Sequence, residues 1–484
     1  EEHDHMGHMF SVVVGPNQRA NHQHGGPGGP HEAGQHRANG QDGGVQAGAA
    51  MQVTANENPT RHCEQSGQQD DEGDVFGQQR VHQVHTCHAR TEHRRKRQQE
   101  CQGPRDGDLA EMMVPKWFDK TTALSNEENF EQLRTALKTT RNAYLADKKL
   151  KTAWQYFIEN YDAVLASCHA QKINALAASY GPALIDRAVM DAVFHAAKVG
   201  FYQGMRSNML GIQLGQHPKL SDLAGIDFDK FLAKLSPSNA IAARHTVGLI
   251  DPLFKSEITS DMPNDGLPVC LEDVAQHYGH THYKLKLSGD SLLDIDRLEK
   301  INTVIEQSAE VITLDGNEQY KDGHQFNQFF EKFKASKKLQ SLSQKTMFVE
   351  QPIHRDQTLN SPVHDIARFI PLLIDESDSD LNTFVQSTSL GYTGISSKSC
   401  KGVYKSMINA ARCAMLTEKT GVHHFQSGED LTMQAGVAVQ QDLALVSLLG
   451  LSHVERNGHH YVNGMAALPR ESNGTETGND RRNR

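Results

Sequence analysis

Lys284 and Lys286 flank Leu285 in the run Tyr283-Lys-Leu-Lys-Leu287, and three carboxylates follow, Asp315, Glu350 and Asp375, each closing a short apolar run. Lys398 closes another. Side chains alternate faces along a strand, so the two lysines share one face while Tyr283, Leu285 and Leu287 take the other. Three carboxylates suit a hard divalent cation that prefers oxygen ligands. Lysines on either side of such an ion are groups that could take up and return a proton. The order predicts a metal site between two bases.

The elements that must position these groups can be read from the same runs. Val311-Ile-Thr-Leu-Asp315, Met347-Phe-Val-Glu350, Leu372-Leu-Ile-Asp375 and Gly394-Ile-Ser-Ser-Lys398 each look like a buried strand ending in one charge, with helical patterns between them. Strand and helix in alternation predict a parallel sheet, most simply a closed barrel, with the chemistry at the carboxyl ends of the strands. With the strand ending near His245 to Gly248 as the first, the lysine pair lies on the second. The carboxylates then fall on the third, fourth and fifth strands, and Lys398 on the sixth. In a barrel of eight strands the second and sixth are diametrically opposed. Taken singly, the lysines read as solvated groups on an edge strand and Asp315 as a turn residue before Gly316; the joint order carries the argument.

These residues resemble the mandelate racemase and muconate lactonizing enzyme group of the enolase superfamily. Its barrel signature of a Lys-x-Lys pair, an Asp, a Glu-x-Pro, an Asp-Glu and a lysine is matched by Lys284-Leu-Lys286, Leu314-Asp-Gly-Asn317, Val349-Glu-Gln-Pro352, Ile374-Asp-Glu-Ser377 and Ser397-Lys-Ser-Cys-Lys-Gly402. The lysine on the sixth strand is similar to the muconate lactonizing and dipeptide epimerase branch. The resemblance implies an α/β fold, a modified TIM barrel of the (β/α)7β kind with a partial, mostly helical capping domain, preceded here by a disordered N-terminal leader. It implies Mg2+, with Mn2+ as the alternative, held by Asp315, Glu350 and Asp375 and binding both oxygens of a small carboxylate substrate.

A proton alpha to a carboxylate is barely acidic, because removing it puts a second negative charge on the group; a metal stabilises the resulting enediolate. Lys286 is expected as the base, with Lys284 beside it disfavouring its ammonium. Lys398 would return the proton, act as the acid or hold charge. Racemisation, epimerisation and cycloisomerisation share this first step. Dehydration of an acid sugar and carboxylate binding without turnover are the alternatives. Asn317 and Glu376 are expected to stand behind the ligands. His424, Gln426, Glu455 and Arg456, near the ends of the seventh and eighth strands, are candidates for contact with the distal part of the substrate.

Elsewhere the chain divides by composition. Residues 1–106 abound in His, Gln, Gly and Arg, with Phe10 and Phe76 their only aromatics. Such a stretch cannot bury a core and reads as a disordered or aberrantly translated leader standing where a capping sheet belongs. Its His3-Asp-His-Met-Gly-His8 and His93-Arg-Arg-Lys-Arg97 lack fixed ligand spacing or aromatic interleaving. Residues 107–240 read as the helical remainder of the cap. Ser125-x-x-Glu128 is a capping box, and further helices carry Trp154 to Leu165 and Leu184 to Lys198. Residues 241–470 form the barrel domain and 471–484 a disordered tail. Between Asp251 and Pro268 a polar loop, long for a barrel connection, reads as a mobile flap or a surface insertion. Lys401 and Lys405 read as a helix start and its solvated face, and His459-His460 as a surface turn.

The bounds agree. At 484 residues the chain holds a barrel of about 250 residues and a cap. A net charge of −10 offers no general affinity for nucleic acid or anionic membrane. Seven scattered cysteines make no disulfide framework, no run approaches the roughly 18 apolar residues of a membrane span, and the start lacks a signal-peptide core. The expected setting is cytoplasmic, with a small-molecule partner, no nucleic acid, no membrane, and a homo-oligomer as the family's common form.

Overall fold

The computed structural model describes residues 114–431 and 436–457, and the backbone of three short strands before them, β1 (Phe10–Gly15), β2 (Gln52–Ala55) and β3 (Arg105–Leu109). The leader motifs and His459-His460 lie outside the described residues.

Eight further strands close into an all-parallel barrel: β4 (Ala242–Val247), β5 (His282–Lys286), β6 (Val311–Asp315), β7 (Thr346–Glu350), β8 (Leu372–Ile374), β9 (Gly394–Ser397), β10 (Phe425–Gly428) and β11 (His453–Arg456). Seven crossovers join them, each carrying helix. This is the expected (β/α)7β barrel.

Alternation sorts the side chains as predicted. Tyr283, Leu285, Leu287, Leu314, Val349, Ile374 and Ile395 pack outward into one buried apolar layer beneath the helices. Lys284, Thr313 and Glu350 face the interior and are also buried. Register levels the charges: Lys286 pairs with Asp315, and Asp315 with Glu350.

The three helices expected before the barrel are present, the third starting at Ala175 rather than at Leu184. Ser125 and Glu128 cap Asn126–Ala146 reciprocally, and Thr152 and Gln155 do the same for Ala153–Ala170. The third helix, Ala175–Ala197, is buried along most of its length. It lies in one apolar cluster with Leu133, Trp154 and Phe157 on the cap side and Tyr404, Met407 and Ile408 of the barrel helix Val403–Thr420. Arg412 of that barrel helix locks the cap in place, donating to both carboxylate oxygens of Asp222 at 2.8 and 2.9 Å and to the Lys219 carbonyl at 2.8 Å.

Close helix approach depends on Gly181, where an added Cβ would meet the Ala136 carbonyl oxygen at 2.3 Å. Backbone cannot yield as a side-chain tip does, so Gly181→Ala is expected to destabilise the protein by about 1–3 kcal/mol. A lowered urea midpoint would check this.

One element was not expected. β1, β2 and β3 fall within or just beyond the stretch read as a leader without strands, and they pair as an antiparallel sheet in the order β2-β1-β3. The sheet lies against the helices Ala175–Ala197 and Asn126–Ala146. The alternation test passes over Phe10-Ser-Val-Val-Val-Gly15 because its valines run together; β-branched content was the available signal. Arg105-Asp-Gly-Asp-Leu109 carries no strand signal, and its extended form comes from pairing with β1.

The loop read as a flap holds a 3-10 turn, Lys255–Glu257, and a hydrogen-bonded turn from Thr259 to Met262, and is largely exposed. Arg297 anchors its start through the Gly248 and Asp251 carbonyls at 2.6 and 2.9 Å. Among the described residues no helix is long and apolar enough to cross a membrane.

Candidate active site

At the carboxyl end of the barrel the strands deliver three lysines and five carboxylates into one buried region. Lys284 stands at its centre. Its Nζ lies 3.1 Å from Asp315 Oδ2, 2.7 Å from Glu350 Oε2, 2.8 Å from Glu429 Oε2 and 2.9 Å from Glu455 Oε2, with its side chain 1% exposed. Lys286, two residues on, donates to Asp315 Oδ2 at 2.5 Å and keeps 20% of its side chain exposed. It is thus the lysine of the pair that faces the mouth. Lys398 donates to Asp375 Oδ2 at 2.6 Å and is buried, its ammonium 4.2 Å from the centroid of the Trp117 ring. Such contact with an aromatic face favours a cation. β5 and β9 stand four places apart in the ring of eight, so Lys286 and Lys398 face each other across the barrel.

The backbone beneath the carboxylates is strained. Asn317, Glu318 and Gln351 have φ of 46°, 71° and 32°, left-handed values that cost of order 1–3 kcal/mol each in residues with side chains. A Cβ on Gly316 would meet Pro352 Cα at 2.4 Å, so the turn after Asp315 lies against the turn after Glu350 only because position 316 is glycine. Gln351 repays part of this strain: its Oε1 accepts from the Asp375 and Ser377 amides at 2.8 and 3.2 Å. It thereby ties the fourth strand's turn to the fifth's.

Charge follows from this crowding. Burial pushes the Glu350 acid well above the ordinary range, and Asp315 and Glu429 add to it, with Lys284 only partly opposing. Burial also works against ionised Asp315, but Lys284 and Lys286 outweigh it and hold that acid low. Asp375 is likewise held far below its usual value, by Lys398 and Lys401 against burial. Burial disfavours the Lys286 ammonium, yet Asp315 outweighs both burial and Lys284, and the net direction is upward. The expectation that Lys284 depresses its neighbour therefore identifies a real contribution that Asp315 overrides in this arrangement.

Glu376 and Asn317 lie beside the ligand candidates. Asn317 Nδ2 donates to Glu376 Oε1 at 3.0 Å, and Lys120 reaches Glu376 at 3.4 Å and Glu318 at 2.6 Å. Burial and the neighbouring Asp375 raise the Glu376 acid to about 7. Arg355 clasps Glu318 and donates to the Trp117 and Phe118 carbonyls at 3.0 and 2.9 Å. The segment Pro115–Phe118 is thus fastened to the barrel with its indole on Lys398.

Some of the sequence-based expectations need correction. The seventh strand ends at Gly428, two residues beyond Gln426. His424 precedes that strand at the opposite end of the barrel, its Nδ1 against the Val422 carbonyl at 2.9 Å. Gln426 turns outward and donates to the Ser406 carbonyl at 3.0 Å. Neither reaches the site. Lys401 and Lys405 are buried rather than solvated, both paired with Asp378, at 2.9 and 3.0 Å. Lys401 also donates to Ser396 Oγ at 2.6 Å, and Ser396 in turn donates to Asp375. Of the remaining candidates, Glu455 enters the site, while Arg456 alternates outward to Asp442 at 3.0 Å.

Glu429 was missed. It directly follows the seventh strand, fully buried, paired with Arg244 and accepting from Ser427 Oγ at 2.5 Å. Gln426-Ser-Gly-Glu429 ends in a charge as the other strands do, and that regularity was the available signal.

Among the described residues no three Asp, Glu, His or Cys side chains are gathered around one point closely enough to hold a metal ion. Lys284 stands between Asp315 and Glu350, and Asp375 is drawn to Lys398. The donor chemistry nevertheless fits a hard dication: three buried carboxylates on successive strands, with Glu350 Oε2 accepting no well-directed hydrogen bond.

No family model and no curated protein matches the chain. Solved structures similar to it include a mandelate racemase/muconate lactonizing protein from Herpetosiphon aurantiacus, at 14% identity and a TM-score of 0.45, over 74% of this chain and 80% of that one. A dipeptide epimerase from Enterococcus faecalis is similar at 14% identity and 0.44, over 73% and 80%. A dipeptide epimerase from Methylococcus capsulatus, solved in complex with a Mg ion, is similar at 16% and 0.44, over 75% and 83%.

Proposed function

We propose that this chain is a divalent-metal-dependent enzyme of the enolase superfamily, in the mandelate racemase and muconate lactonizing group. It removes a proton alpha to the carboxylate of a small molecule and thereby racemises, epimerises or cycloisomerises it. The observation that carries the reading is the placement of Lys286 and Lys398 on opposed strands, with Asp315, Glu350 and Asp375 on the three strands of the arc between them.

Asp315, Glu350 and Asp375 would hold Mg2+ or Mn2+. When bound, the ion supplies the positive charge that a carboxylate needs in order to carry a second negative charge as its alpha proton leaves. The chain's own groups do the rest. Lys286, open to the mouth, takes the proton on one face of the alpha carbon. Lys398, across the barrel, delivers one to the other face, which inverts the centre. Trp117 covers Lys398 and keeps water from that side, so the returned proton comes from the lysine. Lys284, enclosed by four carboxylates, tunes the charge of the site, and Glu376 and Asn317 brace the turn behind Asp315.

The test is proton NMR of a carboxylate library, weighted to dipeptides and N-acyl amino acids, in deuterated buffer with and without Mg2+. Loss of an alpha-proton signal that requires the ion and stops with a chelator is the expected result. Binding of a library member with no exchange, by protein shown to be folded, would replace this reading with that of a carboxylate-binding protein.

A further inference from the structure

We propose that Glu429 and Glu455 form a second seat for the Lys284 ammonium, and that this seat sets how tightly the site takes a divalent cation. The inference rests on the metal site proposed above and concerns Glu429 as a positioning residue.

An ammonium has three donors, yet four carboxylates crowd Lys284 Nζ within 2.7–3.1 Å. They divide into two pairs. Asp315 and Glu350 belong to the ligand set. Glu429 and Glu455 come from the other side of the lysine's strand, at the ends of β10 and β11. The second pair is built to face Lys284. Arg244 and Ser427 Oγ take Glu429 Oε1, and Thr246 Oγ1 takes Glu455 Oε1 at 2.7 Å, so that each Oε2 is left for the ammonium. The Asp430 amide fixes Glu455 Oε2 further, at 3.1 Å.

A dication on Asp315 and Glu350 would meet Lys284 as a like charge a few ångströms away, in a region where water cannot screen it. Lys284 cannot leave, because its side chain is 1% exposed. It can only withdraw onto Glu429 and Glu455, which it already touches. With that pair intact the ammonium gives up Asp315 and Glu350 without being stranded. With one carboxylate neutralised, the ammonium depends on the ligand pair and competes with the ion for it.

The experiment measures Mn2+ binding directly, from the electron paramagnetic resonance signal of the free ion, on full-length protein whose folding is checked by circular dichroism. Glu429→Gln is expected to weaken binding by about tenfold or more. In the Lys284→Met background, where no ammonium needs a seat, the same substitution is expected to change binding less than about threefold. Glu455→Gln gives the same pair of measurements if Glu429→Gln fails to fold. Equal weakening in both backgrounds would mean a general loss of negative field, and unchanged binding would mean no coupling; either overturns the seat. Glu350→Gln tests the site separately. If the parent protein binds no Mn2+, or Glu350→Gln binds it as well as the parent, the metal reading itself falls.

Discussion

Lys286→Ala is expected to lower exchange of the alpha proton by about 10²–10⁴-fold, the usual contribution of a positioned general base. Lys286 is the lysine with open access to the mouth, one-fifth exposed where Lys284 and Lys398 are shut in. Alanine removes the proton acceptor on that face and leaves the carboxylates in place, so Mn2+ binding should persist while exchange is lost. That split separates a chemical role from a structural one. Lys398→Ala supplies the second half of the test. Because the two lysines approach from opposed strands, each should serve one enantiomer: loss of exchange for one hand in Lys286→Ala and for the other in Lys398→Ala would establish two bases. Exchange at the parental rate in folded Lys286→Ala would remove this residue from the mechanism.

Arg244→Met is expected to cost about 3–5 kcal/mol of stability, the range for stripping one partner from a buried ion pair. Against a net stability of about 5–15 kcal/mol for a typical protein, that is a large share. Arg244 is fully buried and donates to Glu429, to Ser427 Oγ at 3.2 Å, to the Gly428 carbonyl at 3.1 Å and to His453 Nδ1 at 2.6 Å. Since a guanidinium only donates, His453 must accept through Nδ1 and is neutral; burial, helped by Arg244, pushes its imidazole down to about 3. Methionine fills the space but leaves Glu429 with one cation, Lys284, instead of two.

The pH dependence has a definite sign. Burial works against the ionised Glu429, but Arg244 and Lys284 overcome it and hold the acid below its ordinary value. A depressed folded-state value contributes stability above the unfolded carboxylate range and loses it as pH falls through the folded value. The gap between parent and Arg244→Met, read from urea midpoints, should therefore be full near neutrality and shrink in acid. The double variant Arg244→Met/Glu429→Gln, with no charge left to strand, should recover at least about 1 kcal/mol of the loss. A single variant within about 1 kcal/mol of the parent would show that the pair is not the barrel's internal anchor.

The order of charges along the sequence determined much of this molecule. Period-two alternation put Lys284 and Lys286 on one face, and strand–helix alternation closed the barrel that opposes Lys286 to Lys398. Both are consequences of local backbone geometry, so they can be read from spacing alone. The capping boxes are local in the same sense.

What only the tertiary structure decided are pairings between residues far apart in the chain. Lys401 and Lys405 have the spacing of a solvated helix face, and they are buried because Asp378, from another loop, meets them. Trp117 reads as an ordinary apolar residue until Arg355 and Lys120 fasten its segment over Lys398. Glu429 joins the site because the seventh strand runs two residues further than its composition announced. Arg105–Leu109 becomes a strand because β1 pairs with it. A side chain's charge and period are properties of its neighbourhood in sequence, whereas its burial and its counter-ion depend on which strands and loops the closed barrel brings together.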